Sequence, residues 1–309
     1  MKTSQVSIEM QRTIGRIGKN WGLYVLLLPA VALLLCFSYK PMYGVLIAFK
    51  DYSPALGIME SPWAGFKYFE KFFKSYQFSI TIKNTLVLSL YSIATFPIPI
   101  MLALMINQMR VNRFRRVFQT VTYMPHFIST VVMVGLILIL FSPGNGLVGN
   151  IYRLFGAEAP NLIGSADLFS SVFVWSDVWQ HAGWDSIIYL AALAAVDPSL
   201  YEAAKVDGAN RWQRIRFIDI PLLLPTVITL LILRIGGLLG VGFEKVYLMQ
   251  NNLNISASEV IATYVYKIGL LSSQYSFSAA ISLFNTIINF ILLILVNRAA
   301  KKFSGSSLW

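Results

Sequence analysis

Six apolar runs, each long enough to cross a lipid bilayer as a helix, constrain this chain more than any single motif. They lie near residues 22–39, 84–107, 119–141, 168–196, 222–243 and 277–296. A hydrocarbon core about 30 Å thick calls for roughly 20 mainly apolar residues at 1.5 Å rise each. Inside hydrocarbon every backbone amide needs a partner, which a helix supplies within one segment. The chain is 56% hydrophobic and only 13% charged, too apolar for an ordinary soluble domain of 309 residues. The expected fold is an all-α membrane protein with six transmembrane helices.

The formal charge of +11 suggests nucleic acid at first sight, but the basic residues are distributed by loop and not gathered on one surface. Lys2, Arg12, Arg16 and Lys19 precede the first run. Arg110, Arg113, Arg115 and Arg116 join the second to the third, and Lys205, Arg211, Arg214 and Arg216 join the fourth to the fifth. Arg298, Lys301 and Lys302 follow the sixth. By the positive-inside rule these segments and both termini face the cytoplasm, and no nucleic-acid partner is expected. The expected organisation is a cytoplasmic arm (1–20), a six-helix membrane domain (21–300) that includes a cytoplasmic loop at 197–221, and a cytoplasmic tail (301–309). Residues 40–80 form an external segment rich in aromatics, with a short interfacial helix at 66–73. Cys36 is the single cysteine, which excludes an intrachain disulfide. The first run is too long, and too bulky at Tyr39, Lys40 and Pro41, for a cleaved signal peptide.

Several runs carry polar groups. Ser278, Ser282, Asn285 and Asn289 recur at helical spacing, and Thr85, Ser89, Ser92 and Phe96 repeat the pattern more weakly, so these faces should avoid lipid. They serve either helix packing or a substrate path. Gly236 and Gly240 fit a small-xxx-small packing pattern. Arg234 lies deep in the fifth run, where a charge is costly and faces protein or water; Glu244 and Lys245 follow at its end. Asp177, His181 and Asp185 share one helical face, with Trp175, Trp179, Gln180 and Trp184 around them. Indole beside polar groups suits a sugar ring, and equally a membrane interface. Tyr123, Trp179, Gln180, Trp184, Asp185, Arg234, Glu244, Asn285 and Asn289 are the candidates for a substrate path; no metal site is expected. Gly144, Gly146 and Gly149 complete GxGxxG outside the strand-to-helix context that a dinucleotide site requires. The chain has no GxxxxGK[ST], HExxH or GxSxG, so any ATP hydrolysis must reside on another polypeptide.

Residues 202–221, EAAKVDGANRWQRIRFIDIP, form a polar, helix-patterned connection between two apolar runs. Asp197 before Pro198 starts a helix that Gly208 would stop, and Asn210 caps a second short helix. Physically this reads either as a solvated connector or as a docking element. Its pattern, Glu202-Ala203-Ala204, then Gly208, then Ile218 and Ile220-Pro221, resembles the EAA signature of permease subunits in binding-protein-dependent ABC importers. Ile220 stands where leucine is usual. PMYGVLIAFKDYSP (41–54), YMPHFIS (123–129), GWDSIIYLAALAAVDPSLYEAA (183–204) and the terminal SLW are similar to the LplB-type branch of the MalF-like sugar permeases, and together they span most of the chain.

The resemblance implies the type I importer fold, with 197–221 as a coupling loop in which Glu202, Ala203, Ala204, Asp207 and Gly208 meet the ATPase. It implies two cytoplasmic ATP-binding subunits, a second permease, an extracytoplasmic sugar-binding protein and a bacterial plasma membrane. This chain itself would bind no cofactor; ATP and Mg would sit on the partner ATPase. The cargo implied is an oligosaccharide from polysaccharide breakdown, such as an oligogalacturonide. The competing readings are a self-sufficient secondary transporter or channel, and a membrane enzyme using Asp177, His181, Asp185 and His126.

Overall fold

A computed structural model describes residues 19–109 and 111–304. The basic arm before Lys19, Arg110 and the terminal SLW lie outside the described residues. The chain divides into two compact units, 1–67 and 68–309.

In the first unit, helix α1 (Trp21–Phe49) is a single 29-residue rod, longer than the run expected from hydropathy. It is apolar all round and buries nothing over Trp21–Leu34, which suits a bilayer. Pro41 has no amide hydrogen, and the helix widens into a π turn at Leu35–Tyr39 just before it, then tightens to a 3-10 turn at Tyr43–Phe49. Beyond it the chain folds on itself: Lys50 Nζ donates to the carbonyls of Ile58 and Met59, both at 2.7 Å. The Phe49 and Trp63 rings stack at 5.8 Å.

Helix α2 (Lys67–Lys74), anticipated at 66–73, starts at the boundary of the second unit and has Phe72 buried. Ser75 ends it and caps α3 (Tyr76–Asn107) by accepting from the Phe78 amide. Helix α3 loosens at Thr95–Phe96, where Pro97 and Pro99 follow.

The run 119–141 is not one straight span. It is split into α4 (Asn112–Phe127) and α5 (Thr130–Leu140), which meet at 99°. Pro125 tightens residues Met124–Phe127 into a 3-10 turn, Ile128 is extended, and Ser129 restarts the helix by capping Val132. Helices α6 (Leu147–Leu154) and α7 (Ala166–Ala194) follow. Then α8 (Pro198–Val206) turns off α7 at 72°.

Asn210 does cap a helix, through a reciprocal box with Gln213, but that helix is not short. Helix α9 runs unbroken from Arg211 to Gly236. Its Pro221 cannot donate to the Phe217 carbonyl, and the preceding turn, Ile215–Asp219, widens to π geometry. The fifth span therefore begins and ends earlier than the apolar run 222–243 suggested. Helices α10 (Phe243–Met249), α11 (Ile261–Leu271) and α12 (Tyr275–Ser304) complete the unit. Four described helices are long and apolar enough to cross a membrane, six if each bent pair counts as one span.

Packing centres on α3 and α7, around Phe96, Ala103, Ile106, Tyr189, Leu193 and Leu223. Lipid tails are as apolar as leucine, so such contacts hold by van der Waals fit more than by water exclusion. Close fit needs small residues. A Cβ at Gly183 of α7 would overlap the Thr122 carbonyl of α4, and one at Gly236 would meet Leu293 of α12 at 2.6 Å. Gly240, paired with Gly236 by spacing, instead lies beyond the helix end.

Candidate functional site: a charged cavity and a capped exposed helix

Helix α9 ends at Gly236, and the backbone unwinds over residues 237–242 before α10. Irregular backbone survives at membrane depth only against protein or a wet cavity. Here it walls a cavity of about 470 Å³, to which α3 gives Ser89 and Ser92, α7 gives Asp177, Gln180 and His181, α9 gives Arg234 and α10 gives Glu244 and Lys245. Ser89 donates to the Leu238 carbonyl, and Asn289 of α12 accepts from the Leu239 amide at 3.0 Å. The unwound stretch is thus held on both sides.

The charges in this cavity are unequally matched. Lys245, with its side chain 7% exposed, lies 3.3 Å from Asp177 and 5.1 Å from the centre of the Phe173 ring. His181 Nδ1 is also 3.3 Å from Asp177. Arg234 donates to the Ser92 carbonyl at 3.3 Å and enters no ion pair within 4 Å among the described residues. The cavity therefore offers one guanidinium without a bonded carboxylate, beside a lysine whose carboxylate is shared with a histidine. Asp185, expected on the same face as Asp177 and His181, borders a separate hollow of about 180 Å³ with Tyr189 and Arg234, near enough to His181 and Arg234 to interact with both electrostatically. No group of three potential metal ligands occurs among the described residues.

The other candidates divide. Gln180 is buried and donates to the Ile128 carbonyl at 2.8 Å, which fixes the break between α4 and α5 beside the cavity. Glu244 lines the cavity and is exposed. Trp184 stacks parallel on His126 at 4.4 Å. Trp179 lies in an apolar groove with Met133, Leu136 and Trp175, a different hollow from the charged one. Tyr123 accepts from Gln119 on its own helix. Asn285 lines a second hollow of about 520 Å³ with Ser278, Ser282 and Tyr266, and its Oδ1 is buried without a partner. Phe243 borders both that hollow and the charged one. The weaker stripe on α3 also faces protein: Thr85 accepts from the Ile261 amide at 3.0 Å.

Helix α8 is the second candidate site. Asp197 accepts from the Ser199 amide at 2.9 Å with Pro198 at the first helical position, and that bond holds its carboxyl below the usual carboxylate range. At the other end Gly208 takes φ +76°. Its amide bonds to the Lys205 carbonyl and the Ala209 amide to that of Ala204, a Schellman closure that favours glycine. Between these caps Glu202 and Ala203 are exposed, and Val206 is 88% exposed. Asp207, the C-cap, is exposed as well. The opposite face is anchored. Tyr201 donates to Asp219 Oδ1 at 2.5 Å, and Gln108, the C-cap of α3, donates to Asp219 Oδ2 at 3.0 Å. Asp219 is 0% exposed. Burial first, and then its bond to Asp219, push the Tyr201 phenol up to about 12.

Residues 95–304 match the family described as binding-protein-dependent transport system inner membrane component. Among curated proteins the chain is 43% identical over 288 residues to the Bacillus subtilis polygalacturonan/rhamnogalacturonan transport system permease protein YteP, covering 93% of this chain and 90% of the relative. Protein LplB of the same organism is also 43% identical over 288 residues, with 93% and 91% covered. A crystal structure of a bacterial ABC transporter involved in import of the acidic polysaccharide alginate contains a chain that superposes with a TM-score of 0.88, at 39% identity, covering 95% of this chain and 99% of that one. A second, of an alginate transporter with its alginate pentasaccharide-bound periplasmic protein, gives 0.88 at 38% identity, with the same coverage.

Proposed function

Because this chain belongs to the family of binding-protein-dependent transport system inner membrane components, the permease subunits of ABC importers, we propose that it forms half of a pathway for acidic oligosaccharides. The observation that carries the cargo assignment is Arg234, a guanidinium in the wall of a membrane cavity with no ion pair among the described residues. A uronic acid unit brings a carboxylate that can bond such a group directly, and a planar guanidinium binds a carboxylate through paired hydrogen bonds. The YteP relative is named for polygalacturonan and rhamnogalacturonan, and the alginate importer for an acidic polysaccharide. Both agree with that chemistry. The neutral hollow lined by Ser278, Ser282, Asn285 and Tyr266 supplies hydroxyl partners and an aromatic face for the next sugar unit.

In this reading α8 lies in the cytoplasm and docks on an ATPase through Glu202, Ala203, Ala204, Asp207 and Gly208. The basic residues of its loop support that orientation. ATP and Mg are held by two copies of the ATPase, a second permease closes the other side of the pathway, and an extracytoplasmic binding protein delivers the sugar. This chain's part is positional: α8 receives displacement, and the cavity is exposed first to one side and then to the other. A family defined by its dependence on a binding protein does not fit a self-sufficient secondary transporter or channel.

The test is reconstitution of the chain with ATPase, second permease and binding protein in vesicles. Oligogalacturonide uptake should need all four components and ATP, and a methyl-esterified oligogalacturonide should be taken up poorly. Uptake by this chain alone, or equal uptake of ester and free acid, would sink the reading.

A further inference from the structure

The carboxylate of Asp219 has an unusual environment for a charge at the edge of a membrane span. It is 0% exposed, and no cationic side chain lies within 4 Å of it among the described residues. Its two oxygens are satisfied by neutral donors from two other elements, Tyr201 on α8 at 2.5 Å and Gln108 at the end of α3 at 3.0 Å. The π turn Ile215–Asp219 places this carboxylate between the two donors, and such turns cluster at functional positions.

We propose that Asp219 is a positioning residue that joins the docking helix α8 to the ends of α3 and α9, so that displacement of α8 is delivered to both spans at once. The proposal rests on the reading of α8 as the element the ATPase grips. The covalent route from α8 to the membrane is poor for this purpose. Two residues, Ala195 and Val196, and the cap Asp197 separate it from α7, and the chain turns 72° there. A push along that connection bends the turn. The Asp219 joint bypasses it. Pulling Tyr201 or Gln108 away would strand a buried carboxylate with an unfilled acceptor, which is far costlier than the bond is favourable. The three elements therefore separate together or not at all, which makes them one moving body.

The experiment uses the complete importer, with ATPase, second permease and binding protein. It reads sugar delivered per ATP hydrolysed, ATP turnover, and the thermal midpoint of the assembled complex. Tyr201→Phe and Gln108→Met each remove one donor at nearly constant volume. Each should keep ATP turnover and assembly while delivery per ATP falls about tenfold, the worth of one hydrogen bond to a charged group. Asp219→Asn is the conservative rescue: its oxygen still accepts from Tyr201, and its amide donates to Gln108 once that side chain's amide turns over. Delivery per ATP should stay within about twofold of the parent there. Delivery at the parent value in both Tyr201→Phe and Gln108→Met overturns the proposal. So does a fall that tracks loss of the assembled complex in all three variants, since a merely structural residue would behave so. Failure of the reading beneath it looks different: Glu202→Lys would then leave the ATPase bound and transport unchanged.

Discussion

Replacing Asp177 with asparagine isolates the electrostatics of the cavity. Lys245 then keeps its charge in a side chain 7% exposed, having lost a carboxylate at 3.3 Å. At that separation and an effective dielectric near 20 the Coulomb attraction is about 5 kcal/mol. The Asp177 side chain is 36% exposed, so water in the cavity screens part of it, and about 3 kcal/mol of lost stability is the reasoned figure. Lys245→Met should cost less, about 1 kcal/mol, because the aspartate left behind is wetter and retains His181 at 3.3 Å. The double variant removes both charges and should lie within about 1 kcal/mol of the parent, since an apolar pair often replaces a buried ion pair without loss. The assay is a double-mutant cycle on the thermal unfolding of the purified permease complex in detergent, with an interaction energy of about 3 kcal/mol or more as the expected result. Additive single effects would refute the reasoning, as they would mean that the lysine is already neutral or already hydrated.

Arg234→Gln should raise the half-saturating concentration for oligogalacturonide uptake by about tenfold or more, the worth of a charge-assisted bond, and should barely change what little methyl-ester uptake remains. Gly208→Val forces a branched side chain into φ +76° at a cost of about 1 to 3 kcal/mol; pull-down of the ATPase should weaken while membrane insertion, read by protease protection, stays normal. Gly183→Val sets a side chain against the Thr122 carbonyl and should lower the yield of folded permease, measured by size-exclusion chromatography, with a penalty of about 1 to 3 kcal/mol. The Asp197 carboxyl titrates below its usual range, so its cap contributes fully above the unfolded carboxylate pKa of about 4 and is lost as pH falls through the lower folded value. Hydrogen exchange over 198–206 should accelerate as pH is lowered through that window, after correction for intrinsic rates. Asp197→Asn, which caps without titrating, should show no such step.

The sequence exposed the parts of the fold that depend on long averages or local chemistry. Four spans, the helix at Lys67–Lys74, both caps of α8 and the N-cap of α9 follow from hydropathy and from Asp197-Pro198, Gly208 and Asn210. It failed where apolarity and helix part company. Residues 119–141 are uniformly compatible with lipid, yet Pro125 and Ser129 fold them into a corner, and residues 237–242 are apolar but unwound. Arg234, Gln180 and Glu244 reached the cavity as their polarity suggested. Trp179 lies instead in an apolar groove and Asn289 on a backbone N–H, since an indole also suits apolar neighbours and an amide also suits an unpaired amide hydrogen. Asp219 was invisible for another reason. Its meaning lies in two partners, 18 and 111 residues away, and in sequence it is one acidic residue in a basic loop.

The cavity and α8 both contact α9, and the geometry of that helix would shape any coupling between them. Asp219 and Arg234 both lie on α9, fifteen residues apart, which at 1.5 Å per residue is about 22 Å along one helix. A helix is stiff over that length unless something weakens it, and α9 contains Pro225 between the two positions. Thr229 donates to the Pro225 carbonyl at 2.9 Å, which satisfies that carbonyl a second time and tends to bend a helix further. A displacement entering at Asp219 would therefore arrive at Arg234 partly as translation and partly as a change of bend. Bending at Pro225 would swing the guanidinium relative to Ser92 on α3, whose carbonyl it bonds at 3.3 Å, while the N-terminal part of α9 remains tied to α3 through Gln108. The cation that would hold the sugar's carboxylate is thus placed where the bend of one helix sets its distance from the cavity wall. A rigid α9 would move the whole wall together and leave that distance unchanged.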